Sequence, residues 1–110
     1  MGTGEKNDSE QKVIYNLSLR PQSYSDLEES FQWYSNQQSN LGIEFLEQIE
    51  FCFERIKSNP YSFQLIKNKF RRAVVRKFPF GIFYQIENKE IIIFSVFHLS
   101  RDPRGLGKRI

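Results

Sequence analysis

Seven basic or titratable side chains crowd the C-terminal half of the sequence: Arg71, Arg72, Arg76 and Lys77 in one stretch, His98, then Arg101 and Arg104. Cleaving RNA without a metal takes a base for the 2′-hydroxyl proton, a cation for the pentavalent phosphate and an acid for the leaving oxygen. His98 suits either proton role, because an imidazole titrates near pH ~6.5. Arg76 and Arg101 suit the phosphate, whose oxygens match a planar guanidinium. The same cations, with Arg71, Arg72, Lys77 and Arg104 most prominent, also read as a binding face for phosphates or an acidic partner. The plain structural alternative is a solvated charged face, with His98 satisfied by a backbone carbonyl.

Other chemistries find no foothold. One His, one Cys and three Asp assemble neither a zinc ligand set nor a Ser/His/Asp arrangement, so no metal or cofactor is expected. Cys52 has no second cysteine to pair with. Gly105-Leu106-Gly107-Lys108 carries only a fragment of a phosphate loop and lacks the strand-to-helix setting. A peptide-binding reading needs apolar anchors beside the cations. Trp33 and Phe51, both off the apolar stripes of their helices, are the candidates; packing under a neighbouring segment is their structural alternative.

The elements that must position these residues follow from periodicity. Met1 to Lys12 has no pattern and reads as a disordered leader or an expression remnant, leaving 13–110 as a single domain. Val13, Tyr15, Leu17 and Leu19 alternate as in a strand. Ser25 to Glu28 then has the spacing of a capping box, which predicts a helix to about Asn36 with Tyr24, Leu27, Phe31 and Tyr34 inward. Gln37 to Asn40 reads as a turn, Asn40 as the cap of a second helix running to about Ser58, and Phe45, Leu46, Ile49, Cys52, Phe53 and Ile56 as its inner stripe. Phe51 should be exposed. Tyr61 to Lys69 reads as irregular. Arg71–Lys77, Phe80–Glu87 and Ile91–His98 read as three strands, the last two joined by a tight turn at Asn88. The expected fold is α+β: an N-terminal strand, an antiparallel helical hairpin and a three-stranded antiparallel meander.

The net charge of +3 conceals a division: residues 1–60 hold five Lys/Arg against ten Asp/Glu, residues 61–110 eleven against three. Such a split predicts an acidic and a basic surface on one small domain. The longest apolar runs are far short of the ~20 residues of a membrane span, and the first residues lack the apolar centre of a secretory signal, so a cytoplasmic protein is expected.

Two phrases carry a resemblance. Arg76-Lys77-Phe78-Pro79-Phe80-Gly81-Ile82-Phe83-Tyr84 and Val96-Phe97-His98-Leu99-Ser100-Arg101-Asp102-Pro103 resemble the C-terminal half of the RelE/ParE superfamily of bacterial toxins. Asp26-Leu27-Glu28, Trp33-Tyr34, Leu41-Gly42 and Asn59-Pro60 sit where such toxins carry similar residues. The resemblance implies the toxin of a type II toxin–antitoxin system, of the kind tied to plasmid stabilization and growth inhibition. Its partner would be an antitoxin encoded beside it, whose acidic amphipathic tail wraps the toxin in a hetero-oligomer. ParE-like members poison DNA gyrase; RelE-like members are mRNA interferases that cut messages on the ribosome. Residue by residue, Arg76 matches the strand arginine of the nucleases, His98 and Arg101 lie where some nucleases keep catalytic groups, and Lys67 and Lys69 stand for loop lysines. No Tyr follows Arg101, and the phrasing is nearer the ParE side. Gyrase inhibition is the leading expectation, an mRNA endonuclease the alternative, and a non-toxic antitoxin-binding member a third.

Overall fold

The computed structural model describes residues 13–100. The expected leader, Arg101 and Arg104 lie outside that range. Strand β1 (Asn16–Leu19) leads into helix α1 (Pro21–Gln37) and helix α2 (Ser39–Ser58). A 3-10 turn at Pro60–Ser62 precedes strands β2 (Gln64–Lys67), β3 (Phe70–Val74), β4 (Phe80–Glu87) and β5 (Glu90–His98). The sheet order is β1-β5-β4-β3-β2, with β1 parallel to β5 and every other pair antiparallel. The α+β architecture is the expected one. β5 is internal, as its apolar residues on both faces require, and β1 sits at the edge beside it.

Four details depart from the sequence reading. The segment read as irregular contains β2, so the meander has four strands; β2 folds onto β3 through Asn68-Lys69, with Asn68 at φ 54°. Asn88 takes the same left-handed conformation, φ 58°, in the β4–β5 turn, as expected of a residue that tolerates positive φ. β3 ends at Val74, which puts Arg76 and Lys77 in the turn after the strand. Helix α1 begins at Pro21, whose fixed φ and missing N–H suit a first helical position, so Ser25 is inside the helix and caps nothing. Gln38 alone separates the helices, and Asn40 lies within α2.

One core joins α2 to the sheet. Phe45, Ile49, Cys52 and Ile56 pack on Ala73, Phe80, Ile82, Tyr84, Ile91, Ile93 and Val96, all buried. Leu46, read as inward, is 39% exposed. The fully buried residues of α1 are polar, Ser23, Asp26 and Ser30; of the expected stripe Leu27 and Tyr34 pack partly buried against the core, whereas Tyr24 is exposed. The reason lies in the sheet. β1 pairs with β5 only as far as Ile93, so backbone groups beyond it need other partners. Ile93 O accepts from Arg20 N (2.9 Å) and from Ser23 Oγ (2.9 Å), and Asp26 Oδ2 accepts from Val96 N (2.9 Å) and Ser95 Oγ (3.3 Å). Gln22 Nε2 donates to Asp26 Oδ1 at 2.9 Å. Helix α1 thus continues, with side chains, the edge that β1 leaves unfinished. The two helices meet closely at Gly42, where a Cβ would strike Ser35 Oγ and the Phe31 ring.

Candidate functional site

The expected basic cluster is divided by the fold. On β3, Arg71 Nη1 donates to Phe63 O (2.7 Å) and Tyr61 O (3.2 Å), and its guanidinium lies 5.2 Å from the Tyr61 ring. It clamps the segment after α2 to the sheet. Arg72 Nη2 donates to Gln64 Oε1 at 3.1 Å, and its stem, with Leu99, packs over Gly81. Both arginines therefore have structural work. Lys69 lines a shallow depression with Tyr61, Leu65 and Arg71, away from Arg76, and Lys67 ends β2.

Arg76 and Lys77 project from the turn between β3 and β4, which Val75 N to Phe80 O (2.9 Å) closes. The Arg76 guanidinium sits 5.4 Å from the centre of the Phe51 ring, a cation–π distance. Lys77 is held at φ 69°, a left-handed conformation that a non-glycine side chain adopts at a cost of roughly 1–3 kcal/mol. With Glu47, Gln48 and Phe51 these two cations line an open groove of about 450 Å³. Beneath it the Cys52 thiol is pushed up to about 11 by burial, with Arg55 and Arg76 pulling part of the way back. A thiol so held is protonated at neutral pH and offers no nucleophile.

His98 lies elsewhere. Its ring packs 5.0 Å from Phe80, and Nδ1 accepts from Ser100 N at 3.1 Å, which leaves the proton of the neutral ring on Nε2. Together with Ser30, Trp33, Tyr34 and Phe80 it lines a pocket of about 190 Å³. Trp33 is 55% exposed and meets Tyr34 edge-on at 5.1 Å; Phe51 is 50% exposed. The structure thus brings Trp33 to His98, and Phe51 to Arg76 and Lys77, in two separate concavities. Arg76 and Lys77 therefore line one concavity and His98 the other, on either side of Phe80.

The sequence reading missed Ser30, Tyr34 and Phe80 as pocket walls, because Tyr34 and Phe80 have the spacing of core residues and do serve the core as well. Ser30, four residues before Tyr34 on α1, was the available signal for a polar strip there. Among the described residues no group of His, Cys, Asp or Glu could hold a metal ion, and no helix is long and apolar enough to cross a membrane.

In structural comparison the chain superposes on the chromosomal ParDE toxin–antitoxin system of P. aeruginosa with a TM-score of 0.71 at 13% identity, over 79% of this chain and 98% of that one. Comparison with curated proteins finds no match. Residues 17–103 match the family model described as the ParE toxin of the type II toxin–antitoxin system parDE. The chain belongs to the ParE toxin family.

Proposed function

We propose that this protein arrests growth by acting on DNA gyrase and is neutralised by an acidic antitoxin encoded beside it. The observation that carries this reading is the ParE family match across 17–103. The geometry supports it against the nuclease alternative. Phosphate cleavage needs proton donor, proton acceptor and cation within reach of one phosphate. Arg76 instead lies over Phe51 while His98 lies against Phe80, in different concavities. On this reading the cations are binding groups, and exposed Trp33 and Phe51 supply apolar anchors for the antitoxin.

The test pairs two assays on the full chain. Primer extension on messages after a short induction should show intact transcripts while cells stop dividing, and purified chain should inhibit supercoiling by gyrase. Cuts within translated codons, abolished in His98→Ala and Arg76→Ala, would replace gyrase with the ribosome. Unchanged growth with intact protein present would identify a non-toxic member.

A further inference from the structure

The turn from Arg76 to Phe80 lies between the two concavities and contributes walls to both. Phe78 is buried in the turn, 4.9 Å from Tyr34 and 5.5 Å from Phe45, while Pro79 is exposed. Phe80 forms a wall of the Trp33 pocket on one side; Arg76 and Lys77 form a wall of the open groove on the other. Two residues, Phe78 and Pro79, separate Lys77 from Phe80, so the two are at most roughly 10 Å apart along extended chain.

Size and chemistry define what each half takes. An apolar cavity of roughly 150 Å³ holds one benzene, and drug-sized ligands need roughly 300–1,000 Å³. The pocket of about 190 Å³ therefore suits a single aromatic or branched aliphatic side chain. Its walls already stand as such a ring requires, with Trp33 at 89° to Tyr34 and Phe80 at 72° to His98. In the groove, Arg76 stacks on Phe51 and the left-handed backbone at Lys77 turns the chain beside it, so two exposed cations stand on one wall. Glu47 lines the same groove. A carboxylate entering it is confined to the Arg76 and Lys77 side.

We propose that pocket and groove form one bipartite receptor for an extended acidic peptide, with a bulky apolar side chain in the Trp33 pocket and carboxylates about two to four residues away on Arg76 and Lys77. The inference rests on the antitoxin reading and specifies which part of the antitoxin does the recognising. Charge complementarity chooses this occupant, since an apolar or basic segment would leave both cations unpaired.

Trp33 is the sole tryptophan, so fluorotryptophan incorporated into the full chain gives one ¹⁹F resonance that reports on the pocket. The probe is the complete, unlabelled protein encoded by the adjacent gene. Saturation should shift the resonance; Arg76→Ala with Lys77→Ala should weaken binding by about tenfold or more and flatten its salt dependence. Arg76→Lys with Lys77→Arg should restore most of the affinity, and Leu65→Ala, at the far edge of the sheet, should change it less than about twofold. A complex that forms with the Trp33 resonance unmoved, or that tolerates the double alanine variant within about twofold, overturns the receptor and leaves the antitoxin reading standing. Failure of the unaltered proteins to associate overturns both.

Discussion

Helices α1 and α2 lie against the same sheet and hold it by opposite means. Helix α2 fully buries Phe45, Ile49, Cys52 and Ile56, whereas the residues α1 fully buries are Ser23, Asp26 and Ser30, with Leu27 and Tyr34 only partly covered by the core. Apolar burial is strong and nearly indifferent to direction. Hydrogen bonds are weaker in net terms but demand one geometry. The difference divides the labour: α2 supplies cohesion, while α1 sets the position of β5 and with it the end of that strand where His98 and the Trp33 pocket lie.

Substitutions can break this division in order of size. Phe45→Ala should cost about 3–5 kcal/mol in urea unfolding, the loss expected for an aromatic side chain removed from a packed core. Asp26→Ala should cost about 1–3 kcal/mol, by orphaning Val96 N–H, and should accelerate hydrogen exchange at that amide ahead of its neighbours; Asp26→Asn, which keeps an acceptor, should cost less. If Phe45→Ala also exposes Val96 selectively, the two helices are not separable in this way. Tyr84→Phe removes the bond its hydroxyl donates to Pro60 O at 2.6 Å and should cost about 0.5–1.5 kcal/mol.

A further effect is alkaline. Burial raises the Cys52 thiol from 9.0 to about 11 and pushes the Tyr84 phenol up as well. Through that interval the unfolded chain has released protons the folded chain still holds, so stability is full below about pH 9 and falls as pH rises. Melting temperatures at pH 8 and pH 10.5 should therefore differ, and differ less in Cys52→Ala.

The same contrast explains what was legible in the sequence. The stripe of α2 announced itself because apolar residues repeat at helical spacing. The buried side of α1 did not, since Ser23, Asp26 and Ser30 look like solvent-facing residues and their partners lie on β5, about seventy positions away for Ser23 with Ile93 and Asp26 with Val96. Asp26 consequently reads as an ordinary residue between the capping pair Ser25 and Glu28. Strand β2 was missed although Asn68-Lys69 repeats the Asn88-Lys89 turn that revealed the β4–β5 hairpin; Gln64 and Lys67 flank only two apolar residues, too few for alternation to register. The residues of the site were visible as types, but their sorting into two concavities depended on where β3 stops, and propensity sets strand ends poorly.

The parallel pairing of β1 with β5 also imposes an order on synthesis. Asn16 finds Glu90 as its partner 74 residues later, and at ~5–20 residues per second a ribosome needs roughly 4–15 s to make the intervening chain. Until then the first strand has no edge to join, and Ser23 and Asp26 have no strand to complete. A nascent or prematurely terminated chain lacking β5 is left with a helical hairpin and no finished sheet. The fold comes into being only after β5 has been made, so the cell gains a short interval between starting this protein and possessing it.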